Sequence, residues 1–256
     1  ALEFATRATW RETRAMLRTS FPVALYATEA TYEIPFGHIR RPTHRNTTWD
    51  LARDEVAGHK WVDVSQRDYG VALLNDAKYG HKIKGHVIDL NLIRSVPYPG
   101  PRLVQDREVL PGQPHPGYTD QTDHVFRYAL YPHPGDHVDG RVAQAGYEFN
   151  LPLRVLATDR HPGSAPARQA YLQVDSPHVL VETVKQAEAG AGWIIRLYEA
   201  NGVIAHTTMQ LPPAARQVEE TNALEDPLRP LPIQDGQVAL VLRPFEIKTL
   251  RIGFAA

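Results

Sequence analysis

The sequence has 256 residues, 43% hydrophobic and 22% charged, which is the balance of a folding globular chain and enough to build one large β domain or two smaller ones. Lys and Arg number 28 against 29 Asp and Glu, a formal net charge of -1, so no sustained field attracts a polyanion and nucleic acid is excluded as an expected partner. Cysteine is absent, which rules out disulfides and thiolate-bound zinc and fits a reducing, cytoplasmic compartment, and no apolar run approaches the ~20 residues of a membrane span. The chain opens on Ala1-Leu2-Glu3-Phe4 without Met or a leader and is expected to be a piece of a longer polypeptide.

The first patterned stretch, Trp10 to Arg18, is rich in helix formers but runs into Phe21-Pro22-Val23, which suits an edge strand equally. From Phe36 to Asp50 no period holds, and the segment is expected to be a surface loop. It concentrates Arg41, His44, Asn46, Trp49 and Asp50, planar hydrogen-bonding groups and an aromatic face of the kind that binds sugars. The alternative is a turn-rich connector whose arginines pair with nearby acids. His38 and His44 come without HExxH or Cys-His spacing, so no metal site is expected there, and Asn46-Thr47-Thr48 matches the glycosylation sequon. The apolar run Val71 to Leu74 leads into Asn75-Asp76-Ala77-Lys78-Tyr79-Gly80, the chemistry of a tight hairpin turn.

Ile88, Leu90 and Leu92 then alternate with Asp89 and Asn91 as in a half-buried strand. Residues 96–118 are Pro-rich and predict a long irregular excursion. It ends on Asp120-Gln121-Thr122-Asp123-His124, where Asp120 and His124 sit at a junction with the strand carrying Phe126, Tyr128 and Leu130; rigid support there suits binding groups, although Asp120 could simply cap a turn. A helix is expected over Val138 to Phe149, after Pro134-Gly135-Asp136. The break from Thr158 to Pro166 marks a boundary between domains over 1–165 and 166–256. Beyond it, Trp193 to Tyr198 and Val238 to Leu242 read as strands, followed by another carrying Phe245 and Ile247. Many short strands and few helices predict an all-β sandwich or barrel. Hydrolysis of a glycoside needs two carboxyls about 5 to 9.5 Å apart; Asp50, Asp76 and Asp120 are available, and nothing in the sequence brings two of them together.

The order of several longer motifs resembles the C-terminal part of glycoside hydrolase family 38 α-mannosidases of the cytosolic and vacuolar type. They are Thr31-Tyr32-Glu33-Ile34, Phe36-Gly37-His38, Arg41-Pro42-Thr43-His44, Asn46 to Asp50, Gly70 to Asp76, Lys78-Tyr79-Gly80, His124-Val125-Phe126 and Tyr128 to His133. Val181 to Glu188, Arg196 to Ala200 and Arg243 to Leu250 extend them to the end of the chain. The resemblance implies a mutarotase-like β-supersandwich followed by a small β-sandwich. It further implies a parent that is a retaining exo-α-mannosidase, with its catalytic carboxylates and zinc ligands in a preceding domain of the same chain, so that this region carries no catalytic or metal-binding residue of its own.

On that reading the partners are the catalytic domain and an α-mannoside oligosaccharide, and Arg41, His44, Asn46, Trp49, Asp50, Asp120 and His124 are candidates for the rim of the substrate pocket. Monomer and oligomer are both compatible with the sequence. The alternatives are a free-standing carbohydrate-binding module and a mutarotase-like epimerase using a His acid and a Glu base.

Overall fold

A computed structural model describes residues 1–97, 117–160, 162–164 and 166–254. Among them eighteen strands form four antiparallel sheets and there are two short helices, so the all-β expectation holds. Contacts divide the chain into one unit of Ala1–Glu33 and Ile39–Leu151 and another of Ile34–His38 and Pro152–Ala256.

The strands of the first unit's six-stranded sheet are β1 (Leu2–Thr9), β3 (Glu29–Ile34), β4 (Gly37–Pro42), β6 (Trp61–Ser65), β7 (Tyr69–Asn75) and β10 (Asp123–Pro134), in the order β1-β10-β7-β6-β3-β4. The facing sheet holds β2 (Met16–Pro22), β5 (Val56–Ala57), β8 (Gly80–Lys84) and β9 (Val87–Arg94), in the order β2-β9-β8-β5. Period-two alternation builds the core between them: Tyr32, Val62, Val64, Val71, Leu73, Phe126 and Tyr128 from one sheet meet Ile83, Ile88, Leu90 and Leu92 from the other. Prolines fall where a missing N–H is harmless. Pro22 and Pro42 end edge strands, and Pro132 lies where β10 has run past its last pair with β1, Leu2 opposite Leu130.

Side chains on the other face of the six-stranded sheet need separate cover. Helix α2 (Val142–Asn150) supplies it for Trp61, whose Cδ1 would lie 2.7 Å from a Cβ at Gly146, so only glycine lets the helix seat. The His137 ring stacks on the same indole, centroids 5.8 Å apart. Next to it lies a buried polar relay. Ser65 Oγ donates to Asp63 Oδ2 at 2.7 Å, and His133 Nε2 lies 2.7 Å from Asp63 Oδ1. Asp63 is on β6 and His133 two strands away on β10; between them, opposite His133, is Gly70 of β7. A Cβ there would come 2.3 Å from His133 Cε1, so the missing side chain is the gap that the imidazole fills.

The second unit is a sandwich of β11 (Gln173–Val174), β14 (Ala205–Gln210) and β17 (Gln237–Leu242) on β12 (Val179–Gln186), β13 (Trp193–Glu199), β15 (Ala215–Thr221), β16 (Pro227–Leu231) and β18 (Ile247–Phe254). Its own core joins Met209, Val238, Leu240 and Leu242 to Ile195, Leu197, Val218, Leu250 and Ile252. The buried Glu199 accepts backbone N–H bonds from Asn201 and Gly202, both at 2.8 Å, and from Phe245 at 2.9 Å, joining two turns. Within this unit the Phe36 ring meets Tyr198 edge-on at 5.5 Å and His38 Nδ1 lies 3.1 Å from the Ala200 carbonyl.

Several local expectations are corrected. Of the two readings open for Trp10 to Arg18, the edge strand holds: β2 starts at Met16 and ends on Pro22, with Leu17 and Phe21 packed on the core. The expected loop from Phe36 to Asp50 contains strand β4 and helix α1 (Thr48–Ala52). Asn75 to Gly80 is not a hairpin turn, since β7 and β8 belong to different sheets and the segment carries the chain across the sandwich. Helix α2 begins four residues later than expected, after the turn that Asp136 closes by accepting from the N–H groups of Val138 and Asp139. Phe245 lies in a turn at φ 57° and the last strand starts at Ile247. Most of the Pro-rich excursion, 98–116, lies outside the described residues; Pro97 and Tyr118 at its ends form an isolated antiparallel bridge.

Candidate functional site

Alternation along β4 sends its adjacent arginines to opposite faces of the six-stranded sheet. Arg41 goes to the inner side, where its guanidinium sits 4.6 Å from the centre of the Tyr32 ring and Nη1 donates to the Ala57 carbonyl at 3.0 Å. There it lines a recess with Tyr32, Thr43, His44, Asp50 and Asp54, enclosing about 420 Å³ of space, open solvent included. Burial draws the Arg41 guanidinium down from its ordinary value, partly offset by the neighbouring phenol, and pushes the Tyr32 phenol up out of its ordinary range. Both are fixed hydrogen-bonding groups at neutral pH, one cationic and one neutral. Asp54 pairs with Arg45 and with Lys82, the latter at 2.8 Å.

Three of the seven expected rim residues, Arg41, His44 and Asp50, line this recess. Asp50 is first of all a helix cap: Thr47 N donates to its Oδ2 at 3.2 Å and its own N–H donates to Thr47 Oγ1 at 3.1 Å, the reciprocal pair that starts α1. His44 Nδ1 stands 3.7 Å from the same carboxylate. Asn46 and Trp49 are exposed and do not line the recess; Trp49 is 73% exposed on α1. Asp120 and His124 are likewise outside its lining. Asp120 sits exposed at φ 60°, and its carbonyl oxygen lies 2.9 Å from His124 Nε2.

Among the three carboxylates available for glycoside chemistry, Asp50 serves the cap, and Asp76 accepts from Arg127 N at 3.0 Å and Nε at 3.2 Å, fastening β7 to β10. Asp120 acts on Lys78, whose amine burial lowers while Asp120 and Asp76 raise it. Asp50 thus stands with Thr47, while Asp76 and Asp120 share the Lys78 amine as a charged neighbour. Among the described residues no three His, Cys, Asp or Glu side chains converge as a metal site would require, so the donor set does not fit a zinc centre. Sequence reading missed Tyr32, Arg53 and Asp54 in the recess. The signal for its wall was the capping box Thr47-Thr48-Trp49-Asp50, which announces a helix start.

Residues 1–102 match the family described as glycosyl hydrolases family 38 C-terminal domain, and residues 178–250 match the glycosyl hydrolases family 38 C-terminal beta sandwich domain. Alpha-mannosidase 2C1 of Homo sapiens is 37% identical over 255 residues, which cover 97% of this chain and 23% of that protein. Alpha-mannosidase G of Dictyostelium discoideum is 35% identical over 254 residues, 98% of this chain and 22% of that one. A crystal structure of an alpha-mannosidase from Enterococcus faecalis V583 superposes with a TM-score of 0.75 at 22% identity, covering 98% of this chain and 27% of its own, a likeness of fold. The chain therefore spans under a quarter of the length of either of these two relatives. With both sandwiches matched in order, the chain belongs to glycosyl hydrolase family 38, as its C-terminal β-sandwich region.

Proposed function

We propose that this region is the non-catalytic C-terminal part of a retaining, zinc-dependent exo-α-mannosidase of the cytoplasm. In that reading it supports a catalytic domain in the same polypeptide and contributes to the rim of its substrate pocket. The observation that carries the reading is a match over 97% of this chain to a relative named alpha-mannosidase that is more than four times as long. The carboxylate pair and zinc ligands then belong to the remainder of the polypeptide, and the domain division is placed after residue 165, beyond Leu151 where the first compact unit ends; the described neighbours 152–160, 162–164 and 166–171 are exposed and form no helix or strand.

The rim role is assigned first to Arg41, His44 and Asp50, which the recess brings together, and then to Asn46, Trp49, Asp120 and His124 as outlying contacts. A guanidinium held over Tyr32 and an imidazole beside a carboxylate present directed donors and acceptors to sugar hydroxyls. The full-length polypeptide is expected to cleave an aryl α-mannoside, to release α-mannose first when followed by NMR, and to lose activity to a chelator. Release of β-mannose or indifference to chelation would contradict the mechanism proposed for the parent. In the same protein Arg41→Ala should raise KM for an α-mannoside oligosaccharide several-fold while leaving that for the aryl substrate nearly unchanged; equal KM values would remove Arg41 from the rim.

A further inference from the structure

The partner of Arg41 on β4, Arg40, projects to the outer face of the same sheet, away from the recess just described. There helix α2 covers Trp61 and stops, and the sheet face beyond it is polar and open. The result is a groove lined by Tyr26, Glu29, Thr31, Arg40, Arg67 and His137 among others, about 950 Å³ of space with open solvent included. Its floor is made of buried side chains. Thr31 and His137 are 6% and 3% exposed, His137 is held flat against Trp61, and Thr31 lies directly opposite Asp63 of the Ser65–Asp63–His133 relay. Its rim is held as well. Tyr26 N donates to Gln66 Oε1 at 3.2 Å and Gln66 Nε2 to Asp68 Oδ1 at 2.9 Å, which leaves the Tyr26 ring 84% exposed at the mouth.

The charges decide what fits. Two guanidinium groups, Arg40 and Arg67, stand against two carboxylates, Glu29 and Asp136, so apart from His137 the lining balances and selects neither an anion nor a cation. Asp136 is occupied by backbone N–H groups, whereas among the described residues the side chains of Glu29 and Arg67 make no hydrogen bond or ion pair. A neutral ligand that can both donate to Glu29 and accept from the arginines, with an apolar face for an exposed aromatic ring, is a sugar. We propose that this groove on the outer face of the six-stranded sheet binds a pyranose ring of an oligosaccharide, Tyr26 stacking on its C–H face and Glu29, Arg40 and Arg67 bonding its hydroxyls. The proposal does not depend on the mannosidase activity of the parent, which could fail while the groove still bound sugar.

The test is titration of the 256-residue chain with methyl α-mannoside and, separately, methyl α-glucoside, followed by NMR chemical shifts of the tyrosine ring signals. Saturable binding of at least one glycoside in the millimolar range is expected. The Glu29→Ala/Arg40→Ala double variant should weaken it about tenfold or more and Tyr26→Ala should do likewise, while Leu153→Ala and Leu224→Ala, at exposed positions outside both the recess and the groove, leave it unchanged. These positions are exposed, and an unaltered circular dichroism spectrum and Tm would show the fold intact. No saturation by either glycoside up to about 50 mM, unchanged binding in the Glu29→Ala/Arg40→Ala and Tyr26→Ala variants, or binding of inorganic phosphate at the same residues without sugar binding would each overturn the proposal.

Discussion

At the scale of single residues the first unit is governed by what glycine leaves out. Gly70 gives the His133 ring its passage to Asp63, and on the ring's other side a Cβ at Gly140 would lie 2.4 Å from His133 Cγ. The imidazole is clamped, so it cannot swing aside as the end of a long chain would. Gly70→Ala should therefore cost about 2 to 4 kcal/mol through displacement of the ring and loss of a buried polar pair, read as a fall in the urea midpoint at constant slope. A wild-type midpoint would show that the clamp gives way easily. Asp63 and His133 also make stability depend on pH. Burial lowers the His133 pKa, but the hydrogen bond and charge of Asp63, with smaller help from the Pro134 carbonyl and Asp136, outweigh it and leave the value raised. A group whose folded pKa is raised contributes stability that is complete below its unfolded value, about 6.5, and is lost as pH rises through the folded one. Asp63→Asn should accordingly cost more stability near pH ~6 than near pH ~9. Equal losses at the two pH values would mean that the charge on His133 plays no part.

At the scale of elements the second unit depends on a carboxylate that ends a strand. Glu199, the last residue of β13, takes N–H groups from the turn after its own strand and from the turn before β18. Its removal strands buried donors, so Glu199→Ala should destabilise by about 3 kcal/mol or more, with Glu199→Gln intermediate because one oxygen acceptor remains; thermal unfolding of the two variants checks the order. The carboxylate thereby ties the segment from Arg196 to Ala200 to that from Arg243 to Leu250, two of the segments that carry the family resemblance.

Legibility in the sequence followed burial. Strands β9 and β17 were plain because one face of each is buried and the other open, giving clean alternation. Strand β4 was hidden because its outward and inward residues are both arginine at the edge of a sheet, so no hydrophobic period exists. Asn75 to Gly80 has turn chemistry, but whether a turn joins strands of one sheet or crosses between two is set by distant pairings. The relay was out of reach of local rules for the same reason, its members lying 70 residues apart. For the candidate site, residue types were readable and convergence was not: the loop supplied Arg41, His44 and Asp50 to a recess, while Trp49, chosen for its aromatic face, stands outside it.

At the scale of the whole molecule, two sandwiches each carry a complete core, and both match the C-terminal region of one glycosidase family. Several of their acids and histidines serve in a cap, strand ties and a relay, among them Asp50, Asp63, Asp76, His133 and Glu199, and among the described residues no three such groups gather as a metal site would need. The most direct test is a side-by-side assay on an aryl α-mannoside of the 256-residue chain and of the full-length polypeptide that contains it. Turnover by the full-length protein, and none above buffer by the chain alone, is the expected result. Hydrolysis by the chain alone at an enzyme-like rate would contradict it.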